Sequence, residues 1–231
     1  MASYDSARPT GFSFKRLENY LGTEKGKFMS SKKSPLFTPD LFESDPPMPG
    51  GFAYRPELIP AEHERELLAE FANLPFKPFA FHGFEGRRQV ISYGWEYDFN
   101  EGNLRQTETI PRFLLFAREA AAQFAGLAPS DLQHALLLEY PPGSGIGWHK
   151  DKPQFGHVIG ISLLSACRLR FRRRVGSGWE RASLLAEPRS AYLLRGPSRT
   201  EWEHSIPAVE HRRYSVTFRT LAMGRAASGR S

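Results

Sequence analysis

His149 and Asp151 stand two residues apart in "YPPGSGIGWHKDKPQFGHVIGISLL" (140–164), between a Gly/Pro-rich turn and an apolar run. In an extended chain, residues two apart point to one face. The spacing therefore sets an imidazole beside a carboxylate, two neighbouring ligands for one metal ion. A distant second histidine would complete a two-His-one-carboxylate set, which leaves positions on Fe(II) open for a co-substrate and dioxygen. Among the 7 histidines, His204 in "GPSRTEWEHSIP" is the best placed. It lies between strand-like "SAYLLR" and "RRYSVTFRT", on a connection that can return to the same mouth. His157 follows Asp151 too closely to close a triad from across a sandwich, and His211 abuts an arginine pair; both read as surface or supporting histidines. An isolated H-x-D is frequent by chance, so the pair needs support from elsewhere in the chain.

That support is "HRRYSVTFRT". Read as a strand, it puts Arg213, Ser215, Thr217 and Arg219 on one face and Tyr214, Val216 and Phe218 on the other. Two guanidinium groups on a largely buried face are costly unless an anion satisfies them. A dicarboxylate would, because the guanidinium fork binds carboxylates through two parallel hydrogen bonds. The two arginines are roughly 20 Å apart along an extended strand, so both reach one small ligand only if their side chains lean together.

The elements that must position these residues follow from periodicity. "AEHERELLAEFANL" (61–74) places Leu67, Leu68, Phe71 and Leu74 at helical spacing, with Pro60 just ahead. "IPRFLLFAREAAAQFAGL" (110–127) reads as a second amphipathic helix with Pro111 in its first turn. "RQVISYGWEYDF" (88–99) is strand-like with a glycine interruption. After residue 127 come "HALLLEY", "VIGISLL", "RLRFR", "SAYLLR" and "RRYSVTFRT", short β-rich segments separated by turn formers. Helices followed by a run of short strands indicate an α+β chain with a C-terminal sandwich or barrel, and the lack of βαβ alternation argues against a Rossmann fold.

Composition sets the outer limits. The 231 residues, 40% hydrophobic and with 18 Phe, suffice for one sizeable core plus tails. The single cysteine, Cys167, excludes an intramolecular disulfide or a cysteine-rich metal site and fits a reducing compartment. The first residues lack the apolar block of a secretory signal, and no run approaches transmembrane length. A soluble cytoplasmic protein is expected. Residues 1–50, closing on "SDPPMPGG", read as a disordered leader, 223–231 as a disordered tail, and 51–222 as the domain. Net charge is +6, but from Pro141 onward 16 Lys and Arg face only 6 Asp and Glu. A basic C-terminal half is what a polyanion-binding face needs. In "RLRFRRR", Arg168, Arg170 and Arg172 share a strand face, with Arg173 and Arg174 following, and they read either as phosphate contacts or as a solvated surface.

Taken in order, Tyr-x-Pro-Gly, His-x-Asp, Ser-Arg then His, and Arg-Tyr-x-x-Thr-Phe-Arg resemble the AlkB family of Fe(II)/2-oxoglutarate-dependent dioxygenases over about residues 50–222. The resemblance implies a double-stranded β-helix (jelly-roll) core with N-terminal helices and a nucleotide-recognition lid. It implies that His149, Asp151 and His204 hold Fe(II). Arg213 would pair with the distal carboxylate of 2-oxoglutarate, with Tyr140 and Ser215 beside it, and Arg219 would lie near the metal-chelating end. Dioxygen is the third reactant. "GRRQVISYGWEYDF" is similar to the family's lid, where Tyr93 would stack on an extruded base, with Phe81 and Trp95 as further substrate contacts. The implied reaction is oxidative removal of methyl or etheno groups from nucleic-acid bases, as DNA repair. The expected partner is single-stranded DNA, with RNA open, and the chain is expected to be a monomer. Alternatives are the same chemistry on tRNA or a protein side chain, or a non-catalytic nucleic-acid-binding jelly roll with a structural metal. Three positions depart from the family pattern: Leu138 and Ser215 where many members carry Asn, and Pro153 where the best-known repair members carry an acidic base-reading residue.

Overall fold

Alternation along each strand sorts the core into two layers. In the computed structural model, which describes residues 47–81, 84–99 and 101–222, the strand β13 (Arg213–Leu221) lies between β6 (His134–Tyr140) and β8 (Phe155–Leu163), antiparallel to both. Outside β8 come β11 (Ala191–Leu194) and β1 (Phe52–Arg55). Outside β6 come β3 (Phe84–Tyr93) and β2 (Lys77–Phe81), which completes a seven-stranded sheet. A four-stranded sheet runs β10 (Gly178–Ala186), β9 (Cys167–Val175), β12 (Glu203–Ile206) and β7 (Ile146–His149). A separate hairpin pairs β4 (Trp95–Asp98) with β5 (Asn103–Gln106).

On the large sheet, Leu137, Ile159, Ile161, Leu163, Leu193, Val216 and Phe218 face the helices α1 (Ala61–Phe71) and α2 (Leu115–Ala125). Burying such a side chain contributes roughly 1.5–3 kcal/mol. Ala117, Ala121, Ala122 and Ala125 form the buried side of α2, so this helix lies close to its neighbours. The opposite face of the same strands meets the small sheet around Leu138, Tyr140, Val158, Leu169, Phe171, Tyr192 and Leu194. Two antiparallel sheets packed this way form the jelly roll expected from the sequence.

Two details differ from the sequence reading, and a third gives an expected feature its cause. Strand β1 precedes α1, and β2 and β5 join the expected 88–99 strands between the helices; β1 closes the edge of the large sheet against β11. The segment 110–127 opens with a 3-10 turn at Arg112–Leu114, and Pro111 precedes that turn and not α2 itself. The interruption in 88–99 is Gly94, at φ +78°, where a Cβ would run into the Gln133 carbonyl and any other residue would be strained; it ends β3 and redirects the chain into the β4–β5 hairpin. The expectations for residues 1–46 and 223–231 fall outside the described residues. Among those described, no helix is long and apolar enough to cross a membrane.

Candidate metal and co-substrate site

β7 and β12 pair so that His149 and His204 are direct cross-strand partners, their ring centroids 4.2 Å apart. Asp151, just past the end of β7, puts Oδ2 at 3.6 Å from His204 Nε2. That oxygen is buried and has no hydrogen-bond partner, while Oδ1 accepts from Arg219 Nε at 3.0 Å and Nη2 at 2.7 Å. His149 donates from Nδ1 to the Gly147 carbonyl, 2.9 Å away, which leaves the Nε2 lone pair available. The three residues are neighbours, although among the described residues no three His, Cys, Asp or Glu side chains close into a ready metal cage.

The electrostatics suit a cation. Burial would raise the Asp151 carboxyl, but Arg219, His204, His149 and Arg199 together hold it well below the usual carboxylate range. Burial, aided by His149, pushes His204 down to about 3, and burial lowers His149 as well. At neutral pH the set is therefore two neutral imidazoles and one carboxylate with an orphaned oxygen. That is the donor chemistry a divalent iron requires.

Residues without an expected role hold this arrangement. Arg199, in the helical turn Pro197–Thr200, donates to the carbonyls of Lys152, Phe155 (2.7 Å) and Gly156 (3.1 Å), clamping the loop after Asp151. His134 Nδ1 lies 3.3 Å from Arg219 Nη1, and its ring stacks on Phe155. Burial and the Arg219 charge keep His134 well below its ordinary pKa, so the ring is neutral and can accept from Arg219. The Ser-Arg dipeptide was visible in the sequence, but nothing in it indicated which carbonyls Arg199 would meet.

Arg213 is fully buried at 0% exposure. Its Nε donates to Ser162 Oγ at 3.2 Å and its guanidinium lies over the Tyr140 ring, yet Nη1 and Nη2 have no partner. A buried fork with both terminal nitrogens unsatisfied fits a carboxylate. Tyr140 and Ser215 are buried on the same inter-sheet face, and Tyr192 closes it from β11. Gly160 makes room for the Tyr192 ring, which a Cβ there would overlap. Ser162 and Tyr192 escaped sequence reading because a lone Ser and a lone Tyr in apolar strands give no signal.

The expected base contacts fare differently. Tyr93 is 7% exposed and sits in the core beneath the helices, because β3 alternation sends Ile91 and Tyr93 to that side and Arg88 and Val90 to the other. It is not a stacking ring at the mouth. The side chain of Phe81 lies outside the described residues. Trp95 opens β4, half-buried. The aromatic groups near the Asp151 loop are Tyr97 and Phe99, whose rings lie 4.7 and 4.9 Å from Lys152 Nζ, with Phe79 packed on Phe99. Arg88 lies over Phe79 with a buried, unpartnered Nε. Asp151, Lys152 and Pro153 line a cleft of about 740 Å³, with Lys150 and Arg195 adding basic character. His157 also lines this cleft without joining the metal group, and His211 is exposed.

Residues 56–220 match the family model of the 2OG-Fe(II) oxygenase superfamily. The chain belongs to this superfamily. Within it the chain is AlkB-like. It is 32% identical over 157 residues to the alpha-ketoglutarate-dependent dioxygenase alkB homolog 7, mitochondrial, of Bos taurus, covering 61% of this chain and 70% of that protein. It is 27% identical over 191 residues to the alkylated DNA repair protein ALKBH8 homolog of Arabidopsis thaliana, covering 72% of this chain. The chain spans about half the length of that relative, 53%. The solved structure of OsALKBH1 shares the fold, with TM-score 0.54 and 16% identity over 74% of this chain and 96% of that one. Membership makes residues 56–220 a 2OG-Fe(II) oxygenase domain, the family chemistry of which draws on Fe(II), 2-oxoglutarate and dioxygen.

Proposed function

We propose that this oxygenase removes alkyl groups, methyl or etheno, from bases of single-stranded nucleic acid, DNA in the first instance. His149, Asp151 and His204 hold Fe(II), and Arg213 binds the distal carboxylate of 2-oxoglutarate beside Tyr140 and Ser215. When bound, the iron and co-substrate supply oxidation of a C–H bond by dioxygen, coupled to decarboxylation of 2-oxoglutarate to succinate. The chain's own work is positioning and exclusion of water. Arg219 fixes the Asp151 carboxylate through Oδ1 and so leaves Oδ2 for the metal. Arg199 keeps the 152–156 loop in place behind it. Neutral imidazoles at His149 and His204 are ready to ligate without first losing a proton.

The observation that carries the co-substrate assignment is the buried, half-satisfied guanidinium of Arg213. The nucleic-acid reading is supported by the basic and aromatic surroundings of the Asp151 loop, where Lys152, Tyr97 and Phe99 lie together, and by the name of the Arabidopsis relative as an alkylated DNA repair protein. Aromatic rings beside a cation suit an unpaired base next to its phosphate.

The test incubates the protein with Fe(II), 2-oxoglutarate, ascorbate and single-stranded DNA bearing N-methylated or etheno-modified bases. Mass spectrometry of the strand is run beside a succinate assay, with His149→Ala as control. Lesion loss that the variant abolishes is expected. Succinate without lesion loss would move the substrate to RNA or protein, and neither signal from iron-loaded protein would overturn the catalytic reading.

A further inference from the structure

Because His149 and His204 face inward, their strand neighbours Trp148, Glu203 and Ser205 face outward from the four-stranded sheet. β9 sets Arg168, Arg170, Arg172 and Arg174 on the same outer face, and β10 adds Trp179 and Arg181. These side chains interleave. The Arg170 and Arg172 guanidiniums lie 5.0 and 4.5 Å from the Trp148 ring, and Arg172 and Arg174 lie 4.3 and 5.4 Å from the Trp179 ring. The result is a ladder of cations and rings carried by β7, β9 and β10 and spanning the four-stranded sheet.

Its charges are poorly balanced. Arg172 pairs with Glu203 at 2.6 Å, but the recorded partners of the others are neutral: Ser205 Oγ for Arg170, Ser183 Oγ for Arg168, and backbone carbonyls for Arg174 and Arg181. By contrast Arg173, of opposite parity on β9, has two carboxylates, Glu180 and Glu201. A merely solvated face mixes both signs; here like charges recur every second residue along a strand, a repeat of about 7 Å.

We infer that this outer face is a second nucleic-acid contact, a track that binds the phosphates of a single strand extending beyond the active site. It rests on the nucleic-acid reading above. Guanidiniums cover the Trp faces, so the rings are not platforms for bases. Instead they hold the guanidinium planes in place with N–H edges available, which lowers the entropy lost on binding. The track therefore reads backbone charge and not base identity. A strand engaged there raises the local concentration of its other end at the site on the inner side of the same sheet.

The test measures binding of a fluorescein-labelled single-stranded oligonucleotide to the full chain by anisotropy over a series of salt concentrations. Arg168→Gln/Arg174→Gln/Arg181→Gln is compared with wild type, and Arg181→Gln alone serves if the triple variant is misfolded by circular dichroism. The triple variant is expected to bind at least about tenfold more weakly at physiological salt, with the log–log salt slope reduced by about 2, and Arg181→Gln alone by about 0.7. Succinate formation without nucleic acid should be unchanged. Wild-type binding that the triple variant retains at the same slope would overturn the track alone. Failure of the wild type to bind any strand, while still forming succinate, would overturn the track together with the nucleic-acid reading.

Discussion

Asp151 divides its carboxylate between two tasks: Oδ1 is held by the Arg219 fork at 2.7 and 3.0 Å, and Oδ2 faces His204 Nε2 at 3.6 Å with no hydrogen bond of its own. A buried carboxylate oxygen left in this way costs free energy unless something positive occupies the gap. The arrangement is thus organised for a cation before one arrives, with Arg219 fixing the carboxylate's orientation.

Replacing His204 by Ala should therefore abolish iron retention and succinate formation, while Arg219→Gln should weaken iron by about 10–100-fold, as expected for a supporting partner. Metal content after dialysis against graded chelator separates the two. Equal retention by wild type and His204→Ala would remove His204 from the ligand set.

Arg213→Met makes a prediction of opposite sign for stability and function. The unpartnered Nη1 and Nη2 of Arg213 are a burden on the ligand-free chain, so an apolar residue of similar length should leave its unfolding free energy unchanged or raise it, by up to about 4 kcal/mol, with the melting temperature following. The same change should erase the thermal stabilisation that 2-oxoglutarate gives the wild type. A variant that still responds to 2-oxoglutarate would show that the fork serves something else.

Much of this was legible in the sequence. Strict alternation in β13 sorted Arg213, Ser215, Thr217 and Arg219 from Tyr214, Val216 and Phe218, because one face of that strand packs under the helices and the other faces the second sheet. "HALLLEY" is β6 to the residue, since apolar neighbours on both faces make a continuous run. β7 was hidden: "IGWH" is short and lies against Gly and Pro, and its strand character comes from pairing with β12. The lid failed at Tyr93 for a related reason. Parity shows which residues share a face but not which face the core claims, and it was the side holding Ile91 and Tyr93 that the helices covered.

His134 gives a pH test. Its folded pKa is depressed below 6.5 by burial and Arg219, so below that pH the unfolded chain binds a proton that the folded chain does not. Its contribution to stability is complete above pH 6.5 and declines as pH falls, by up to about 1.4 kcal/mol per pH unit. His134→Asn keeps an acceptor for Arg219 but does not titrate, so its denaturation midpoint should fall less steeply on acidification than that of wild type. Identical pH profiles would show that the ring is not held neutral.

The two tyrosines of the lid region separate packing from recognition. Tyr93 is part of the core beneath the helices, so Tyr93→Ala should cost about 3 kcal/mol of stability, in the range for deleting a large buried ring, and reduce activity only through loss of folded protein. Tyr97 is half-buried beside Lys152 and Phe99, and Tyr97→Ala should leave the melting temperature nearly unchanged. If the ring meets the base, its removal should raise KM for a modified oligonucleotide by about 10-fold, given the 1–3 kcal/mol that stacking on an aromatic side chain contributes. Succinate formation without nucleic acid should stay at the wild-type rate. Raised KM in Tyr93→Ala with an unaltered melting curve would reverse the two roles, because only a ring at the mouth can change substrate affinity without changing the core.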